Sequence, residues 1–223
     1  MKYGKGYSFI TRTTGFLART LLYFRKTELS HMLDVLEENP PTRILDYGCN
    51  SGYFCNMLKN RFPDAHVCGA DINVSAIRYA TKKYKKTKFH FITDEFFEKF
   101  KKQKFDVIIL SHVLEHMREP KKTLELISKI LHKDGKILLA VPQERIKGDA
   151  TPIQLIYNYI RGSFENPHVF KWEYSDLREL CNHLDMKIDN FTYTNYFFPY
   201  KSKTKKFYRW SLVVSVSKNI PLD

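Results

Sequence analysis

Residues 43–52 read RILDYGCNSG. A short β-rich run, Arg43–Tyr47, carries an acid at its fourth position and passes through Gly48, Asn50 and Gly52 into a segment of helical period, Gly52–Arg61. Glycine lets the chain take a positive φ and approach a ligand closely, so this reads as a strand, a tight turn and a helix. Downstream the alternation repeats. Strands are expected at His66–Asp71, Lys88–Thr93, Phe105–Ser111 and Lys136–Val141, with helices at Ser75–Tyr84 and Pro120–His132, the last stopping at Gly135. FDVIIL and KILLAV are continuous apolar runs, as central strands covered on both faces require.

Strand and helix alternating in this way predict a three-layer α/β fold around a mostly parallel sheet. A helix over Ser175–Leu184 and two late strands, Lys187–Tyr196 and Arg209–Ser217, extend it. These strands are expected to form an antiparallel hairpin at one edge, turning through the basic Lys201–Lys206 stretch. The first 40 residues read as a helical cap, 42–142 as a donor-binding core, 143–185 as an acceptor lid with its helix and 186–218 as the hairpin, all within one domain.

In an open α/β sheet ligands bind beyond the carboxyl ends of the strands, so the residues closing each strand carry the functional reading. Asp46 closes the first. Asp71, in VCGADIN, closes the second and could accept from both hydroxyls of a ribose, with Asn73 capping the helix that follows. Asp94, in FHFITDEFF, could accept from an adenine amino group, and the fourth strand ends LSHVLEHM, bringing out Ser111, His112, Glu115 and His116. Each of these acids also has a plain structural use as a cap or a loop brace. Their ordered occurrence argues for a shared site.

DYGCNSG at Asp46–Gly52, Asp71, Asp94 and the block SHVLEHMREPKKTLELISKILHKDGKILLAVP together resemble the class I S-adenosylmethionine-dependent methyltransferases, over about Thr42–Pro142. The resemblance implies a Rossmann-like, mostly parallel seven-stranded sheet ending in an antiparallel hairpin, and S-adenosylmethionine as methyl donor. It further implies a donor-binding set of Asp46, Gly48, Cys49, Asn50, Gly52, Asp71, Ile72, Asp94, Glu95 and Ser111. Asn50 departs from the family pattern, standing where a middle glycine is common; asparagine tolerates left-handed backbone better than most residues. A dinucleotide fingerprint would need GxGxxG, which this loop lacks.

The expected reaction is methyl transfer to an oxygen, or less favourably a nitrogen, of a small metabolite or saccharide intermediate. His112 is the first candidate for a general base, with Glu115, His116 and the later His168 as the remaining catalytic set. An alternative is an RNA 2′-O-methyltransferase that holds a divalent cation among these residues. The set resembles that of the small-RNA 3′-end 2′-O-methyltransferases, which use Glu-x-x-Glu-His plus a later histidine, and that of metal-dependent quinone O-methyltransferases, with His112 in place of the first glutamate. The preferred reading assigns no metal. A second alternative is a donor-binding protein without catalysis. An aromatic-rich lid over Ala150–Tyr174, including Tyr157, Tyr159, Phe164, Phe170, Trp172 and Tyr174, is expected to cover the acceptor.

The chain of 223 residues has a formal net charge of +13, much of it in lysine runs at Lys82–Lys88, Lys99–Lys104 and Lys201–Arg209. Such a field attracts nucleic acid or anionic membrane as well as acidic small molecules, yet lysines lack the fork that makes arginine a specific phosphate reader. Small-molecule acceptors are therefore preferred over nucleic acid, with peripheral membrane contact through Lys201–Lys206 as a further expectation. No run reaches membrane-span length and the amino terminus lacks a signal-like apolar core, so a cytoplasmic setting is expected. Cys49, Cys55, Cys68 and Cys181 have no paired spacing and are expected to be buried free thiols.

Overall fold

The structure, a computed structural model, describes residues 24–143, 169–195, 201–205 and 209–219. In chain order the elements are α1 (Phe24–Glu37), β1 (Arg43–Tyr47), α2 (Tyr53–Arg61), β2 (His66–Asp71), α3 (Val74–Lys83), β3 (Lys88–Phe91), α4 (Asp94–Phe100) and β4 (Phe105–Ser111). A 3₁₀ turn (Leu114–His116), α5 (Pro120–Ile130), β5 (Leu131–Pro142), α6 (Tyr174–Asn182), β6 (Met186–Asn195), β7 (Lys201–Ser202) and β8 (Arg209–Lys218) follow. The strands form one sheet in the order β3-β2-β1-β4-β5-β8-β6-β7. The first five are parallel; β8 runs antiparallel to both β5 and β6.

Strand side chains alternate faces, and here the alternation divides the core in two. Ile44, Val107, Ile109, Leu138, Ala140 and Val213 pack against Leu29, Met32 and Leu36 of α1, Phe54, Cys55 and Leu58 of α2 and Ile77 of α3. Leu45, Ile108, Leu110, Ile137, Leu139 and Val214 pack on the other face, against Phe96, Phe97 and Phe100 of α4, Leu124, Ile127 and Ile130 of α5, and Leu177 and Leu180 of α6. The layers are thus α1–α3, sheet, α4–α6. All four cysteines are buried and free, as expected.

Several expectations are corrected. The sheet has eight strands among the described residues, the additional one being β7, which pairs Lys201 with Thr194 and Ser202 with Tyr193. The two late strands do pair, but β8 lies inside the sheet between β5 and β6. Helix α5 stops at Ile130, and β5 starts at Leu131 instead of Lys136. Leu131 is fully buried and already opposite Phe105, and the ladder resumes at Val107 and Lys136 after an irregularity. Helix α4 was not foreseen from the sequence; it begins at Asp94, where the strand was expected to have just ended.

The basic stretch after β6 makes intramolecular contacts. Lys201 Nζ lies 2.7 Å from Asp34 Oδ2 on α1, and Lys205 donates at 2.6 Å to Glu173 Oε1. Glu173 also forms the reciprocal capping box of α6 with Asp176. Among the described residues no helix is long and apolar enough to cross a membrane.

Candidate active site

The sheet order reverses direction at β1, which has β2 on one side and β4 on the other. The loops leaving these strands part here and open a crevice at their carboxyl ends. A cleft of about 420 Å³ occupies it, within the range of small-ligand sites. Its wall is formed by Tyr47, Gly48 and Asn50 after β1, Asp71, Ile72 and Asn73 after β2, Ile92 after β3, and His112, Val113, His116, Met117, Arg118, Glu119 and Thr123 after β4.

The loop after β1 is built on left-handed backbone, with φ of +83° at Gly48, +47° at Asn50 and +74° at Gly52. Gly48 and Cys49 both donate their N–H to the Ala70 carbonyl, at 2.7 and 3.0 Å, drawing the loop over the end of β2. A Cβ on Gly48 would sit 2.4 Å from Val113 Cγ2, so a side chain there cannot coexist with the β4 loop. Asn50 needs no glycine because its φ falls in the left-handed region that asparagine visits.

Asp71 is held from two sides. Its Oδ2 accepts from the Asn50 N–H and its Oδ1 from the Asn73 N–H, both at 2.7 Å. Burial raises its carboxyl above the usual value, against the opposing pull of these backbone N–H groups. Asn73 caps α3 as expected, its Oδ1 accepting from Ser75 and Ala76 at 3.0 and 3.2 Å. Next to this acid Ile72 is 55% exposed, although it lines the cleft.

The donor set expected from the sequence therefore divides. Gly48, Asn50, Asp71 and Ile72 line the cleft, whereas Asp46, Cys49, Gly52 and Ser111 do not. Asp46 is buried and accepts from Cys55 Sγ at 3.2 Å. Burial, the neighbouring thiol and the Asp46 charge push the Cys55 thiol well up, while the Cys49 thiol is also raised. Glu95 is exposed on α4, and the Asp94 side chain lies outside the described residues.

His112, Glu115 and His116 do not share a helical face. His112 has a φ of +54° and the turn after it is a single 3₁₀ turn. The His112 N–H donates to the Ala140 carbonyl at 2.9 Å, fixing the backbone where β4 ends. His112 Nε2 lies 2.7 Å from Glu28 Oε2 on α1, and Nδ1 lies 3.6 Å from Glu115 Oε1. Both carboxylates are buried. Glu28 also accepts from Ser111 Oγ at 3.1 Å and from Ser211 Oγ on β8.

Glu28 and Ser211 were not singled out in the sequence. They meet His112 from 84 and 99 residues away, and no local spacing announces such a contact. Among the described residues no group of three His, Cys, Asp or Glu side chains is arranged to hold a metal ion. Both ring nitrogens of His112 instead face carboxylates. His168, and Tyr157, Tyr159 and Phe164 of the expected lid, lie outside the described residues. At the end of that segment the Val169 and Phe170 N–H groups donate to the Glu115 carbonyl at 2.8 and 3.3 Å, and Trp172 is buried.

Comparison with known proteins agrees with this geometry. A family model described as a methyltransferase domain matches residues 19–189. A malonyl-[acyl-carrier protein] O-methyltransferase of Acetivibrio thermocellus is 28% identical over 113 residues, which cover 50% of this chain and 40% of that relative. The match therefore spans less than half the length of that protein. Among solved structures, an S-adenosylmethionine-dependent methyltransferase from Clostridium acetobutylicum superposes with a TM-score of 0.66 at 13% identity, covering 96% of this chain and 99% of that one. The plantazolicin methyltransferase BpumL, solved with S-adenosylhomocysteine (SAH), gives a TM-score of 0.63 at 18% identity, covering 93% of this chain and 90% of that one. The chain belongs to the methyltransferase-domain family, on the α/β Rossmann-like fold of the S-adenosylmethionine-dependent methyltransferases.

Proposed function

We propose that the chain transfers the methyl group of S-adenosylmethionine to an oxygen of a small metabolite or saccharide intermediate. The observation that carries this reading is the cleft itself, which has the Asp71 carboxylate on one wall and the His112 imidazole on another. The residues present fit the donor. The cleft has the volume for it, Asp71 offers carboxylate acceptor oxygens, Ile72 offers exposed apolar surface, and Gly48 lines the cleft without a side chain. The relative's oxygen-directed activity supports the choice of atom.

When bound, the donor supplies an electrophilic methyl group on a sulfonium, so the protein's work is alignment, exclusion of water and handling of one proton. In this reading Asp71 accepts from the ribose hydroxyls, and the Gly48–Asn50 backbone lies along the donor. Ile72 and Ile92 pack on its apolar surface. His112 removes the acceptor's proton. Histidine suits that step because its ordinary pKa places it between protonation states near neutral pH.

Calorimetric titration with S-adenosylmethionine and SAH tests the donor site, with NAD as the control. Saturable binding of the first two alone is expected, followed by radiolabel transfer from the donor's methyl group in a panel of hydroxylated and carboxylated acceptors. If neither sulfur compound binds, the proposal fails at its first step.

A further inference from the structure

We infer that Glu28 is a positioning residue for His112, holding its imidazole in the Nε2–H tautomer so that Nδ1 is the nitrogen that takes the acceptor's proton. This rests on the oxygen-methyltransferase reading above and deepens it.

Glu28 is wholly inaccessible to solvent, while the imidazole it touches lines the cleft. A carboxylate taken out of water is tolerated only where hydrogen-bond donors surround it. The Ser111 and Ser211 hydroxyls donate to Glu28. With Glu28 ionised, a form that can only accept, the 2.7 Å contact takes its proton from His112 Nε2. Apolar side chains would fill this position at lower cost than a buried acid, and they could not orient a ring.

The backbone supports the same conclusion. A left-handed conformation is strained for a non-glycine residue, and such strain persists where the surroundings over-determine it. At His112 they do so through the Ala140 carbonyl and through Glu28, which reach the same residue from β5 and α1. Among the described residues, Glu28 from α1, Glu115 from the 3₁₀ turn and Ser211 from β8 lie against the ring, and Ser111 from β4 reaches it through Glu28. Glu115 Oε1, at 3.6 Å from Nδ1, is beyond hydrogen-bond length.

The step balances. The acceptor's hydroxyl proton passes to Nδ1 while the oxygen's lone pair forms the bond to carbon and the carbon–sulfur bond breaks. The positive charge that began on sulfur ends on the imidazolium, between two carboxylates. Loss of the Nδ1 proton to water restores the starting tautomer, with Nε2–H still on Glu28.

The decisive experiment needs no acceptor. Long-range ¹H–¹⁵N correlation spectra of the labelled full chain, with and without SAH, report the His112 tautomer; His112→Gln identifies its signals. A single Nε2–H tautomer is expected in the unsubstituted protein, and a mixture in Glu28→Met. In Glu28→Gln, which keeps the shape and leaves an acceptor oxygen, the Nε2–H tautomer should remain the major one. A dominant Nδ1–H tautomer in the unsubstituted protein, or an unaltered single tautomer in Glu28→Met, overturns the assignment. Melting curves and SAH titrations of each variant show whether fold and donor site survive. Failure of the unsubstituted chain to bind S-adenosylmethionine defeats the proposed function instead, without touching the tautomer result.

Discussion

The backbone N–H of Asn50 donates to Asp71 Oδ2 at 2.7 Å across 21 residues of sequence, joining the loop after β1 to the acid that ends β2. The residue standing where related loops often carry glycine thus keeps the left-handed turn and delivers a bond to the cleft wall. Asn50→Gly should leave the SAH affinity within about threefold, because its φ is free to either residue. Asn50→Pro removes the donor and cannot reach a φ of +47°, so affinity should fall at least about tenfold. Equal titrations for the two variants would show that this bond is irrelevant to the site.

Asp71→Asn preserves shape while removing charge. Hydrogen bonds to charged groups contribute about 1.5–3 kcal/mol, so donor affinity should drop roughly 10- to 100-fold by calorimetry. The thermal midpoint should fall by a few degrees at most, since one backbone N–H then faces an amide NH₂ while the burial cost of the carboxylate is relieved. A large loss of stability with unchanged affinity would make Asp71 a structural brace.

Gly48→Ala meets two obstacles, a φ of +83° and a contact of 2.4 Å with Val113 Cγ2. Destabilisation of about 2–4 kcal/mol is expected in denaturant titration, combining the left-handed and overpacking costs. Adding Val113→Ala should recover only the packing share. Full recovery in the double variant would mean that the conformational cost is negligible.

His31, buried on α1, has its pKa lowered from 6.5 to about 4 by burial and by the nearby Lys201, with Lys203 adding to the effect. A depressed folded-state value means that the unfolded chain binds the proton more readily. The stability contributed is present above the ordinary histidine range and is lost as pH falls toward about 4. The loss should approach about 3 kcal/mol between those limits, and His31→Leu should flatten that part of the stability profile. A profile of the same slope in His31→Leu would assign the acid sensitivity elsewhere.

Periodicity and turn chemistry were enough to read the parallel core. FDVIIL and KILLAV could only be strands buried on both faces, and Gly48, Gly52 and Asn73 mark backbone that few other residues would serve. The order of the acids likewise exposed Asp71, because a ligand edge in this fold recurs after each strand. Local pattern misplaced the start of β5, since the burial of Leu131 opposite Phe105 depends on β4 and not on neighbouring residues. It hid α4 for the same reason: Phe96, Phe97 and Phe100 become a helical face only against the core they enter.

The site shows the division most clearly. Sequence alone determined that an acid, a glycine turn and a histidine would meet beyond the strand ends, because those positions follow from strand order and side-chain chemistry. Only the tertiary structure decided which partners surround the histidine. Insertion of β8 beside β5 sets Ser211 opposite Pro142 at the cleft end of the sheet, and α1 lays Glu28 against His112. Contacts between residues so distant in the chain are fixed by packing and by the desolvation of a buried charge, neither of which leaves a local periodic trace.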